Sequence, residues 1–214
     1  MKKNIPVCSV FSKHQGPTGE IWKCGLTPDD SYSVCALRNK CDYRTPTIDS
    51  NFQWIKEIPL KVSCFIWRAQ AGRIPTVNEL SKRGVYVESL TCQICEEIEE
   101  CPDHTLVACS YATMVTEGIL RWCRVQAGSF HKVNQILEFA AKWGSCSKRR
   151  RIFMAICYCM LWSIWKARND RVFNNNRLPP DKVIDIVKSM SFLWVKNRGK
   201  RKELAWANWS LLSR

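Results

Sequence analysis

Four cysteines and a histidine fall within the eighteen residues CQICEEIEECPDHTLVAC, positions 92 to 109. Thiolate and imidazole are the donors that a tetrahedral zinc ion takes, and a tight turn presents two of them when they are spaced C-x2-C. Cys92 and Cys95 have that spacing, and His104 and Cys109 form a second pair, H-x4-C, eight residues further on. Two pairs at ligand-like separations carry far more weight than a lone C-x-x-C. Cys101, three residues before His104, is a rival for the fourth position. Cys109 is preferred because the loop from Cys95 to His104 then closes between two complete pairs. Four protein donors leave no open coordination position, and no separate general base stands nearby, so the metal is expected to be structural and not catalytic.

The surroundings of the cluster argue against it as a grip on nucleic acid. Nucleic-acid-binding knuckles are compact and surround their metal with basic and aromatic residues. This loop instead carries Glu96, Glu97, Glu99, Glu100 and Asp103, which repel phosphate. Yet the 214-residue chain has a formal net charge of +14, and the excess lies elsewhere. Residues 84–120 contain seven acids and no Lys or Arg, whereas residues 148–214 hold 16 Lys and Arg against 4 Asp and Glu. A basic block of that size favours a polyanionic partner, RNA or DNA. Its candidate contacts are Lys148, Arg149, Arg150, Arg151, Arg198, Lys200, Arg201 and Lys202, with Trp206 and Trp209 as residues that could stack on bases or pack. The run Arg198–Lys202 also has the composition of a nuclear import signal.

The elements that must position these groups read as mostly helical. Hydrophobic residues make up 46% of the chain and include ten Trp, enough to build a core. The first 53 residues are weakly patterned: an extended piece near Gly19, a turn at Pro28–Asp30 and a polar linker over 40–53. From Trp54 the order sharpens. LKVSCFIWRAQAG sets Val62, Phe65, Ile66 and Ala69 on one helical face. TVNELSKRG is a short helix with Thr76 and Glu79 as a capping box and Gly84 as its left-handed stop. Further helices are predicted from Tyr111, Met114, Val115, Ile119 and Trp122, weakened by Gly118, and from Ile136, Leu137, Ala140 and Trp143. Another covers about 150–169, with Phe153, Ile156, Cys157, Met160, Leu161 and Ile164 on one stripe. A last one covers 181–197, with Val183, Ile186, Val187, Met190 and Trp194. The fold class is therefore mainly α: a small zinc-stapled helical domain over 54–123, followed by a basic, Trp-rich helical region over 124–214.

IFMAICYCMLWSIW (152–165) is apolar but shorter than the ~20 residues a bilayer needs, and it is flanked by cations, so a buried helix is expected and no membrane association. The N-terminus lacks the apolar run of a secretory signal. Thirteen Cys, an odd number, then point to a reducing intracellular compartment, with scattered ones such as Cys123, Cys146, Cys157 and Cys159 as small buried residues.

A longer pattern joins these pieces. Trp54, Pro59, Lys61, Phe65, Trp67, Pro75-Thr76, Leu80 and Arg83-Gly84 lead into Cys92-x2-Cys95, Glu100-x3-His104 and Cys109. Over about 54–123 this resembles the zinc-binding domain that follows the polymerase domain in plant LINE-type (non-LTR) retrotransposon reverse transcriptases. Trp22 and Asp30–Val34 are similar to a segment preceding that domain, and LWSIWKARNDRVFNN (161–175) to a Trp-rich helix following it. The chain departs from the pattern at Cys101, where Ser or Thr is usual, and at Val115-Thr116, where a Trp is common. The resemblance implies zinc held by Cys92, Cys95, His104 and Cys109. Polymerase chemistry is not expected here, because it needs an aromatic-x-Asp-Asp turn holding two metal ions. Asp29-Asp30 follows Thr27-Pro28, which suits a simple turn, and no set of acids suggests ribonuclease H. A nucleic-acid-binding module without a small-molecule substrate is the leading expectation. A zinc-stabilised scaffold or protein-interaction domain is the alternative.

Overall fold

The computed structural model describes residues 11–16, 19–24, 52–199 and 203–210. The chain divides into two compact units, Met1–Phe52 and Gln53–Arg214. The first contains an antiparallel hairpin, β1 (Phe11–Gly16) and β2 (Gly19–Cys24), in the register Phe11 to Cys24 and Gly16 to Gly19. The extended piece expected near Gly19 is β2. The turn expected at Pro28 and the segment Asp30–Val34 lie outside the described residues.

The second unit is helical: α1 (Leu60–Gln70), α2 (Val77–Lys82), α3 (Ser110–Trp122), α4 (Val133–Lys142), α5 (Ser147–Asn174), α6 (Pro180–Arg198) and the short α7 (Trp206–Ser210). Between α2 and α3 lies the cysteine-rich loop, ending in a π-helical turn over His104–Ala108. α5 is the axis. At 28 residues it is about 42 Å long, and α1, α4 and α6 all pack against it. The sequence suggested a single apolar stripe, but every residue from Phe153 to Leu161 is buried, so this stretch is enclosed on all sides. It is therefore a central helix, which also explains why it is apolar without being a membrane span. No helix among the described residues is long and apolar enough to cross a membrane.

Aromatic rings tie the surrounding helices to this axis. Phe65 of α1 lies edge-on to Trp162 at 5.2 Å and stacks on Trp165 at 5.8 Å. Trp143 packs on Phe153 at 4.6 Å. Phe192 meets both Trp206 and Trp209. Trp209 is buried and donates its indole N–H to the Lys188 carbonyl at 3.0 Å, so it serves packing and is not presented for base stacking. Met114, Ile186 and Met190, expected on apolar faces, are instead exposed. Cys146, expected to be buried, is exposed before the first turn of α5, where the amides of Arg149 and Lys148 favour its thiolate.

α2 corrects the capping expectation. Thr76 makes no side-chain capping bond and its hydroxyl is buried without a partner, while Glu79 pairs with Lys82 at 2.6 Å. The cap comes from elsewhere in the chain: the Val77 amide donates to Glu100 Oε2 at 2.9 Å. Gly84 does end the helix in the left-handed region, at φ +83°.

Candidate metal centre

Cys92 and Cys95 sit on a miniature hairpin. Thr91 and Glu99 bridge antiparallel, the Cys92 amide donates to the Ile98 carbonyl at 2.8 Å, and the Glu100 amide donates to Leu90 at 2.7 Å. The chain reverses between them, with Glu96 N–H closing onto the Cys92 carbonyl at 2.8 Å and Glu96 itself left-handed at φ 61°. That turn aims both sulfurs inward from a two-residue spacer.

The second pair uses a different device. The Cys109 amide donates to the His104 carbonyl at 2.8 Å, a five-residue π-type closure. H-x4-C is the spacing that such a wide turn spans, and it sets the two side chains on the same side. Cys109 is also the N-cap residue of α3, where the helix's amide dipoles favour a thiolate.

One donor atom from each of Cys92, Cys95, His104 and Cys109 lies within 4.8 Å of every other. Cys95 Sγ and His104 Nε2 are 3.3 Å apart. Ideal zinc bonds of about 2.3 Å to sulfur and 2.0–2.1 Å to nitrogen would place tetrahedral donors roughly 3.5–3.8 Å from each other. The three-sulfur, one-nitrogen set therefore fits a four-coordinate zinc ion with little rearrangement. Cys92 and Cys109 are hydrogen-bond partners. The hydrogen bond between them, with burial, holds the Cys92 thiol well above its ordinary value, and the same bond draws Cys109 below it. Zinc is the metal that this donor set suggests, and when bound it supplies folding free energy by crosslinking the loop.

Cys101 stands outside the group of four. Its sulfur accepts the His104 amide at 3.4 Å and so holds the start of the π turn.

Of the five acids expected to form a negative skin, two point inward. Glu100 is fully buried and forms a two-pronged ion pair with Arg168 of α5, at 2.5 Å to Nε and 2.6 Å to Nη2. The same carboxylate caps α2 through Val77, and it takes a long 3.5 Å contact from Thr105. Asp103 caps α4, accepting the Val133 amide at 2.8 Å. Only Glu96, Glu97 and Glu99 form the exposed acidic face. The structural role of Arg168 was missed in the sequence, although a signal existed. Arg168 continues the i+4 spacing from Ile164 on a stripe that is otherwise apolar, where a cation must find a buried partner.

The basic candidates do not form one group. Lys148, Arg149 and Arg151 are exposed in the opening residues of α5, whereas Arg150 folds back to donate to the Trp143 and Gly144 carbonyls. Arg198 lies at the other end of the sequence block, donating to the Lys56 carbonyl at 3.3 Å. Lys200, Arg201 and Lys202 lie outside the described residues.

Residues 29–115 match the family model described as zinc-binding in reverse transcriptase, so this part of the chain is similar to the zinc-binding domain of those enzymes. No curated protein and no solved structure matches the chain.

Proposed function

We propose that the chain is a zinc-binding, nucleic-acid-binding C-terminal portion of a plant LINE-type (non-LTR) retrotransposon reverse transcriptase, with polymerase chemistry residing elsewhere in a larger parent protein. Cys92, Cys95, His104 and Cys109 are its zinc ligands, residues 54–123 its zinc-binding domain, and 124–214 its basic helical region. The metal has no open position for substrate, so its work is to fix the loop on which α2, α3 and α5 converge.

The observation that carries the nucleic-acid reading is the start of α5. Lys148, Arg149 and Arg151 are exposed there with no acid in the first turn. Cations at a helix N-terminus oppose the helix dipole, each costing about 0.3–1 kcal/mol. A polyanion bound across them offsets that cost. The reading is tested by retention on immobilised RNA or DNA as salt is raised: binding that weakens steeply supports it, and no retention at low salt sinks it.

One observation favours the scaffold reading. Ile186, Met190 and Leu193 stand exposed on α6 at helical spacing, an apolar stripe of the kind that docks a partner protein. That reading expects zinc-dependent folding without nucleic-acid retention.

A further inference from the structure

The basic balance of the sequence directs attention to residues 148–214, but the fold assembles a second positive surface from the other end of the unit. We propose that the outer face of α1, with the turns at its two ends, is a track for a nucleic-acid backbone, formed by Arg198, Lys56, Lys61, Arg68, Arg73 and Arg83. This rests on the nucleic-acid reading above and assigns it a surface.

Hydrogen bonds to main-chain carbonyls tie the parts of the track together. Arg198 reaches across from the end of α6 to the Lys56 carbonyl at 3.3 Å, just before α1. Lys61 and Arg68 are both exposed on α1, seven residues apart on one stripe that borders the buried face of Val62, Phe65, Ile66 and Ala69. The Arg73 amide donates to the Arg68 carbonyl at 2.7 Å, and Arg83 Nη2 donates to the Arg73 carbonyl at 3.2 Å. These contacts bring Arg198 to the segment just before α1 and Arg83 to the turn just after it, so cations scattered through the sequence meet the two ends of α1.

The stretch that carries α1 has little acidic competition. Residues 54–83 contain two carboxylates: Glu57 is buried, and Glu79 is held by Lys82. Among the described residues, none of the six track cations has a carboxylate within ion-pair distance. Cations without carboxylate partners match the charge that a nucleic-acid backbone selects, and Trp54 and Leu60, exposed in the same stretch of sequence, add apolar surface. The spacing fits as well. Lys61 and Arg68 are two helical turns apart, about 10.5 Å, the rise of roughly three phosphates along one strand. Guanidinium groups at four of the six positions suit the phosphate oxygens they would meet. The exposed acids of the zinc loop, by contrast, exclude a polyanion from that side.

The test compares two charge-neutralised chains with the wild type, each checked for zinc content and helicity. One is Lys61→Gln/Arg68→Gln/Arg73→Gln; the other is Lys148→Gln/Arg149→Gln/Arg151→Gln. Fluorescent single strands and duplexes of about 20 nucleotides are titrated over roughly 50 to 200 mM salt. The track variant is expected to bind at least about tenfold more weakly at the lower salt, and its log K against log salt slope to flatten by about 2 to 3. Wild-type binding with an unchanged track variant overturns the inference while leaving the nucleic-acid reading intact. Failure of the wild type to bind either probe overturns both. Binding to phosphatidylserine-containing vesicles that depends on Lys61, Arg68 and Arg73, with no nucleic-acid binding, replaces the partner and also overturns it.

Discussion

Glu100 and Arg168 are 68 residues apart in sequence and meet as a fully buried, two-pronged ion pair at 2.5 and 2.6 Å. The pair joins the metal loop to the central helix. Glu100 stands between Cys95 and His104 in sequence, on the longest stretch of loop between two donors. Arg168 also lies over the Trp165 ring at 5.1 Å, so its cation is desolvated by protein on more than one side.

A single break in that pair should therefore be costly. Arg168→Met leaves a buried carboxylate unpaired, and about 3–5 kcal/mol of stability should be lost in urea unfolding at saturating zinc. Glu100→Gln/Arg168→Met removes both charges while the amide oxygen still accepts from Val77, and it should recover much of the loss. A double variant as unstable as the single one would show that the pair does not act as a unit.

Gly118 gives a second prediction. A Cβ there would press on Ile184 Cδ1 of α6, the end of a flexible side chain. Gly118→Ala gains roughly 1 kcal/mol of helix propensity against that crowding, and its unfolding midpoint should stay close to wild type. Gly118→Leu should lose about 1–3 kcal/mol by overpacking. Equal stability of the two variants would mean that α3 and α6 do not approach as closely as the structure shows.

Alkaline pH should unfold the protein through its buried phenols and thiols. Burial pushes Tyr111 up to about 12, and Cys123 and Cys159 up to about 12. It raises Tyr158 as well. Each neutral form is favoured in the folded state, so folded values lie above unfolded ones. Their stabilisation is fully present below about pH 9, where unfolded thiols begin to ionise, and is lost as pH rises toward 12. The urea midpoint should fall steadily over that window, and less steeply in Tyr111→Phe. A flat profile would contradict the burial of these groups.

The sequence was most informative where spacing is dictated by local geometry. C-x2-C and H-x4-C each reflect a single turn, and the four donors they name lie within 4.8 Å of one another. The buried face of α1 and the stop at Gly84 were legible for the same reason. What escaped was non-local. Glu100 looked like one more loop acid because its partner is 68 residues away, and Thr76 looked like a cap because the true cap, Glu100, comes from another segment. The cations along α1 do not stand out in the charge balance of any sequence block, and Arg198 reaches Lys56 only through the fold. Gly118, a weak point of α3 by helix propensity, marks the place where Ile184 of α6 passes close by.

The central claim is that zinc is held by Cys92, Cys95, His104 and Cys109 with Cys101 as a bystander. Metal content per chain, measured on the purified wild type and on Cys92→Ser, Cys109→Ser and Cys101→Ser, tests it most directly. One zinc is expected in the wild type and in Cys101→Ser, and loss of zinc in the other two. Loss of zinc in Cys101→Ser with retention in Cys109→Ser would contradict it.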